Sequence, residues 1–512
     1  MLRFALHPSR SRRVKIDASQ GYLMGAHDRS RAGTIRLRDG VLECQPESSK
    51  AVALNLECET PEMGRLALST CLLEQREEPY QLMLELARHR IKQFIAKCED
   101  WQIWEHPAAA EALNRWNQAR EHFTAAMTSA DLAQADEHSS AALVAGLKAG
   151  ERLAVAHSQV LMHRKFGSKA ASKLVLGVRL NLAARPARAA TALKDFDMVC
   201  LPLPWSKIER SPGEFDFSVL APWLEWAEST GRTVLAGPLI DLREENVPAW
   251  IAAKRGESAV LRDAIWKFAE ATGAALAGRV RMWDLAAGLD DSTWWPLDLE
   301  ERVEVVRRAE IGLRAARKDI PTLVEIEHPF GHQVASHSGA LTPRAFIDAL
   351  VNDGIHIDCL LLRLRMGEAG GEHLTRDLLE VSSVLDTFIP FRKPVFVEIG
   401  APSVPGGPGA GFWRAPWSPK SQAVWAARTF AVAMSKPHVE LVLWHSLADP
   451  AKSGPKDCAM DGLIASDGTA KPVVAALATA RAALRKPIGV WRPSADPEKV
   501  GRPSETTETL GG

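Results

Sequence analysis

The sequence predicts an α/β fold, a closed (β/α)8 barrel preceded by a small β-rich unit and a helical segment. Three observations carry this expectation. From Lys173 onward, short apolar runs alternate with amphipathic stretches, about eight of each, and strands alternating with helices imply a parallel sheet. The first run, Leu176-Gly177-Val178-Arg179-Leu180, has no glycine-rich nucleotide turn after it, which an open doubly wound sheet would be expected to carry. Ahead of these units the pattern differs twice, first to turn-punctuated short runs and then to helical spacing.

In chain order, residues 1 to 75 contain runs such as Thr34-Ile35-Arg36-Leu37 and Ala51-Val52-Ala53-Leu54-Asn55-Leu56, separated by Asp39-Gly40 and Pro46. These read as short strands joined by turns. Residues 76 to 168 place Leu82, Leu84, Leu86, Ile91 and Phe94, then Leu143 to Leu161, at helical spacing, so two or three long helices are expected. The barrel is expected over 169 to 486. Its strands are predicted at 173–180, 198–203, 233–240, 279–285, 322–326, 359–364, 394–399 and 440–445. The helices are predicted at about 186–194, 218–230, 258–276, 298–318, 342–353, 372–391, 420–435 and 472–485. Residues 487 to 512, rich in Pro, Glu, Thr and Gly, are predicted to be disordered.

Composition excludes several function classes. Lys plus Arg equals Asp plus Glu at 63 each, so no bulk field draws the chain to nucleic acid or to an anionic membrane. No apolar stretch approaches the roughly 20 residues of a membrane helix. The N-terminus turns at once into the basic Arg10-Ser11-Arg12-Arg13 without a signal-like apolar region, which makes a cytoplasmic protein the expectation. Seven scattered cysteines without a Cys-x-x-Cys read as reduced, buried thiols. His328, His332 and His337 invite a metal reading, but Pro329 and Gly331 break any helix that would align them, and no metal or cofactor is expected. Gly406-Gly407-Pro408-Gly409-Ala410-Gly411 lacks the Gly-Lys-Ser/Thr of a phosphate loop and is predicted to be a mobile loop over the barrel mouth. The oligomeric state is left open.

Active sites of such barrels lie at the C-terminal ends of the strands. Those ends offer Asp241, Asp284, Glu325, Glu327, Glu398 and Asp449. Glu398 stands out because it closes the apolar run Pro394-Val395-Phe396-Val397, and a buried carboxylate is costly unless it is paired or works. Facing carboxylates on a rim that also carries Trp suggest glycoside hydrolysis, one acid protonating the leaving oxygen and the other attacking or activating water. The chain has 16 Trp and 2 Tyr; Trp205, Trp294, Trp295, Trp413, Trp417 and Trp444 are candidates for stacking on sugars or for core packing.

The run Trp205-Ser206-Lys207-Ile208-Glu209-Arg210-Ser211-Pro212-Gly213-Glu214-Phe215-Asp216-Phe217 resembles the segment after strand 2 in glycoside hydrolase family 10, the xylanase family. Val247-Pro248-Ala249-Trp250-Ile251, Trp283-Asp284-Leu285, Val397-Glu398-Ile399 and Asp461-Gly462-Leu463 with Lys471-Pro472 are similar to later motifs of that family, in the same order. The resemblance spans about residues 174 to 485. It implies a barrel, an oligo- or polysaccharide partner and Glu398 at the nucleophile position. The family's Trp-Asp-Val-Val-Asn-Glu, whose last residue is the acid/base, here reads Trp283-Asp284-Leu285-Ala286-Ala287-Gly288. The strand-6 Gln-x-His reads Arg363-Leu364-Arg365.

Two functions follow as expectations. In the first, the barrel hydrolyses β-linked glycosides with Glu398 as nucleophile or base and a relocated acid, Glu327 (or Glu325, on the same strand face), with Asp284 a weaker candidate. Asp241 then joins the tryptophans in binding substrate. In the second, Glu325 and Glu327 are ion-paired with Arg363 and Arg365, and a non-catalytic barrel binds a saccharide or a protein at its mouth.

Overall fold

The computed structural model describes residues 1–7, 14–26, 30–31, 33–47, 49–167, 175–291, 294–368, 373–407, 409–450 and 460–485. The expected tail at 487–512, the basic run at 10–13 and Cys458 lie outside these.

Eight parallel strands close into a barrel in sequence order: Val175–Arg179, Met198–Leu201, Thr233–Ala236, Met282–Asp284, Thr322–Ile326, Cys359–Arg365, Val395–Gly400 and Val439–Trp444. They are called barrel strands 1 to 8. Strand 8 pairs back onto strand 1, from Leu441 opposite Val175 to Trp444 opposite Val178. Because side chains alternate along a strand, one parity of residues fills the interior. Cys200, Leu235, Leu323, Cys359, Leu361, Phe396, Leu441 and Leu443 form that apolar plug. Continued upward, the same parity brings Arg179, Asp284, Glu325, Arg363 and Glu398 onto the layer above it.

Helices cover the barrel where the amphipathic stretches predicted them. Leu299–Ala316 starts at a capping box in which Asp298 accepts from the Glu301 backbone and Glu301 reaches back to that of Asp298, satisfying two donors of the first turn. Three elements differ from expectation. The third strand ends at Ala236, and Ile240–Asp241 instead pairs with Ala286–Ala287 in a separate small sheet; Pro238 has no N–H to continue the ladder. The helix expected over 372–391 runs from Leu378 to Asp386, since the Asp377 side chain accepts from the N–H groups of Leu379 and Glu380 and so fixes the start. The helix expected over 186–194 is a single turn, Pro186–Ala189.

The β-rich unit consists of two sheets. Leu2–Ala5, Gly33–Arg38, Val41–Pro46 and Tyr80–Gln81 make one; Lys15–Met24, Ser30–Arg31, Ala53–Thr60 and Gly64–Ser69 make the other. Helices Leu82–Asp100, Ala110–Thr128 and Leu132–Gly167 follow. One continuous apolar core runs from Leu2 through the barrel to Leu484. Directly after the glycine-rich stretch 406–411, Phe412–Trp413 pairs antiparallel with Arg65 and Gly64, adding a fifth strand to the second sheet. Gly64 sits at φ +94°, and a Cβ there would lie 2.2 Å from the Phe412 carbonyl oxygen, so only glycine permits this approach. At the other end of the helical segment, the Lys165 ammonium donates to the carbonyls of Met434, Lys436 and Val439 at 2.9 to 3.0 Å. It thereby caps the helix Pro419–Ser435.

The six described cysteines are buried. Among the described residues no helix is long and apolar enough to cross a membrane.

Candidate functional site

At the top of the apolar plug, carboxylates from strands 5 and 7 meet guanidiniums from strands 1 and 6. Arg363 and Glu398 are direct neighbours across strands 6 and 7. The Arg363 Nε donates to Glu398 Oε1 at 3.0 Å, its Nη1 donates to Glu327, and Glu325 lies 3.5 Å from the same Nη1. Arg179 reaches in from strand 1, its Nε donating to Glu398 Oε2 at 2.7 Å and its Nη2 to Glu325. His445, just beyond strand 8, completes the shell around Glu398, with Nδ1 2.6 Å from Oε1. Glu398 and Glu325 are buried, and so are both arginines for nearly all of their length.

These contacts decide the protonation states. Burial pushes the Glu398 carboxyl up, but Arg179, Arg363 and His445 outweigh it and hold it well below the usual range. Glu327 behaves alike: burial opposes ionisation, and the Arg363 charge together with His328 brings it down to about 2. Asp284 goes the other way. Burial, the Glu325 charge and a hydrogen bond to Glu325 raise it well above the usual range, which favours its protonated form. Burial also brings His445 down to about 3 and Asp461, 3.7 Å from its Nε2, up to about 7.

The structure therefore brings Glu398, Glu327, Glu325 and Asp284 into one cluster, with Glu327 fixed as a carboxylate that has no proton to give. Asp284 is shifted toward its protonated form but has no exposure to solvent. Asp284→Asn is expected to raise stability at pH 7 and to leave it unchanged at pH 3. The sign follows from the folded state alone keeping the proton above the ordinary carboxylate range. Thermal unfolding at the two pH values measures it.

Gly288, where the family-like motif would place its acid, lies at φ +68° with nothing within 4 Å of a Cβ built on it. A glutamate would have room there but a backbone conformation it disfavours. Asp241 is held by Arg243, whose Nε donates to both carboxylate oxygens at 2.9 and 3.0 Å, and by Asn246 Nδ2 at 2.8 Å.

The tryptophans depart from the stacking expectation. Trp205, Trp295, Trp413, Trp417 and Trp444 are all buried. Each described N–H partner is internal: Glu209 for Trp205, Glu151 for Trp413, the Gly411 carbonyl for Trp417 and the Asp461 carbonyl for Trp444. Their aromatic area went into the core, where it is worth most. Trp294 alone is partly open, with the Arg255 guanidinium 4.8 Å over its ring.

Sequence reasoning missed Arg179, although the signal resembled that of Glu398: a charge ending an apolar barrel strand. His445, just beyond strand 8, was missed as well. Among the described residues no group of three or more His, Cys, Asp or Glu is arranged to hold a metal. His328 is instead held by Asp291 at 3.1 Å, and His337 by the same carboxylate at 2.7 Å.

What remains open at the mouth is a cavity of about 170 Å³ whose lining includes Arg179, Trp205, Asp241, Arg243, Asn246 and Arg363. At about 30 Å³ per water this is room for some six waters, below the ~300 Å³ at which small-molecule pockets begin.

No protein-family model and no curated protein matches the chain. Among solved structures it is similar to xylanase 10B from Thermotoga petrophila in complex with xylobiose, at 15% identity and TM-score 0.47 over 64% of this chain and 97% of that one. It is also similar to a GH5_18 protein from Streptomyces cattleya in complex with GlcNAc, at 16% identity and TM-score 0.48 over 63% and 83% of the two chains. A third is the Penicillium canescens endo-1,4-beta-xylanase XylE, at 18% identity and TM-score 0.47 over 62% and 96%.

Proposed function

We propose that this chain is a barrel of the family-10 type that binds a saccharide at its mouth without hydrolysing it. One observation carries the reading: Arg363 stands between Glu327 and Glu398 and donates to both. Glycoside hydrolysis needs one carboxyl group protonated and the other ionised. Here a shared cation keeps both ionised, and Gly288 supplies no acid. The sugar-binding part of the reading is supported by the motif resemblance over about residues 174 to 485.

The test is to assay purified protein on aryl β-xylosides and cellobiosides beside Glu398→Gln, and to titrate both with xylo- and cello-oligosaccharides by calorimetry. Saturable binding with no turnover is the expected result. Turnover that Glu398→Gln reduces by a factor of about 100 or more would establish the hydrolytic function instead.

A further inference from the structure

The helical segment carries a cavity of its own, outside residues 174 to 485 and the family resemblance they bear. Its volume is about 500 Å³, within the range of roughly 300 to 1,000 Å³ that small-molecule sites occupy. Helices Ala110–Thr128 and Leu132–Gly167 form two walls, and Pro61 and Glu62, in the turn between strands Ala53–Thr60 and Gly64–Ser69, form a third. The two helices run antiparallel: Glu111 on the first meets Arg152 on the second at 3.2 Å, and His122 meets His138 at 3.4 Å. On the second helix Glu137, Ala141, Val144 and Lys148 recur at three- and four-residue spacing and share one face. Ala141 and Ala145 are too short to fill the space beside Arg115 and Gln118, and a groove remains along the seam.

Charge is divided along this groove. Arg115 and Lys148 stand at one end with Glu62, and Asp136 and Glu137 stand at the other. The helix rises roughly 16 Å from Glu137 to Lys148. Between the two ends lies Ser140, only 7% exposed, whose hydroxyl finds no hydrogen-bond partner among the described residues. A buried hydroxyl in that state carries a desolvation cost that a ligand N–H or C=O would remove. At the basic end Lys148 is held by Glu62 at 2.7 Å, but the Glu62 side chain is 70% exposed. Exposed pairs of this kind contribute little, so an incoming carboxylate can take the ammonium over.

We infer that this groove binds a short peptide with free termini, its carboxylate at Arg115 and Lys148 and its ammonium at Asp136 and Glu137. An extended chain rises about 3.3 Å per residue, so four or five residues bring both termini to their partners. The Ser140 hydroxyl then faces the peptide groups between them. Pro61, Ala141 and Val144 supply an apolar surface for small side chains. The described lining contains no Trp, Tyr or Phe, so a sugar would gain no stacking face here. The site is separate from the barrel mouth and does not depend on what binds there.

Calorimetric titration of the full-length protein with alanine oligomers of two to six residues, termini free, tests this. Affinity is expected to be highest at four or five residues and lower by about tenfold or more for the dimer. Acetylating the amino end or amidating the carboxyl end of the tetramer should each weaken binding by about tenfold or more, since each removes one charge. The Arg115→Ala/Lys148→Ala double variant should bind the free tetramer as weakly as the unaltered protein binds its amide, and amidation should then cost nothing further. Both side chains are partly exposed, and an unchanged thermal unfolding curve confirms that the variant is folded. Glu137→Gln, at an exposed position, gives the matching readout at the other end, where acetylation should cost less than in the unaltered protein. Three results would each overturn the inference: affinity that ignores both blocked ends, affinity that both variants leave unchanged, or no saturable binding by the folded protein up to millimolar peptide.

Discussion

Arg363→Met is expected to lower the unfolding free energy by about 3–5 kcal/mol at pH 7, the typical cost of removing one partner from a buried ion pair. The reason is the number of carboxylates that lean on this one guanidinium. Glu398, Glu327 and Glu325 all lie within 3.5 Å of its nitrogens, and Arg179 contacts only two of them. Without Arg363 they must either stay charged in a buried layer or take up protons. The loss should therefore depend on pH, and its sign can be fixed. Glu327 ionises at about 2 in the folded protein against an ordinary value of 4.5, so the stabilisation it provides is full above 4.5 and is lost as pH falls toward 2. In the variant that stabilisation is already gone. Urea unfolding of both proteins should show a wide gap at pH 7 and a narrower one at pH 4. An equal gap at both pH values would mean that Arg363 acts by packing alone.

Trp413→Ala is expected to cost about 3–5 kcal/mol as well, by a different mechanism. The indole is buried, its N–H donates to the buried Glu151, and the Arg414 guanidinium lies 4.7 Å from its ring. Truncation leaves a large void and deprives Glu151 of a donor. Trp413→Phe separates the two contributions: it keeps the ring face and loses the N–H, so about 1–3 kcal/mol is expected. Denaturant unfolding followed by circular dichroism measures both. Because the core is continuous from the N-terminal strands into the barrel, the loss should appear as a shift of the main transition and not as early melting of one part.

The barrel was legible because its strands announce themselves by short apolar runs between amphipathic stretches, and each of the eight predicted runs overlaps an observed strand. Boundaries failed where a single residue decided them, as with Pro238 after strand 3 and Asp377 before its helix. The site was half legible. That Glu398 ends an apolar strand could be read directly, but whether its charge serves chemistry or pairing depends on which residue of another strand faces it. Arg363 and Arg179 are 35 and 219 positions away, a distance that only strand register closes. The tryptophans misled for a related reason: an indole has the same composition signal whether its face meets solvent or a helix.

The pairing of Phe412–Trp413 with Gly64 and Arg65 has a consequence for how the chain can be cut. A protein made from residue 175 onward would keep all eight barrel strands yet display an unpaired two-residue edge beside an uncovered apolar surface, together with helix-end carbonyls that Lys165 no longer meets. Open edges of that kind seek other chains. The excised barrel is expected to associate with itself or precipitate, which size-exclusion chromatography would register, because the first 167 residues cover surfaces that the barrel alone leaves open.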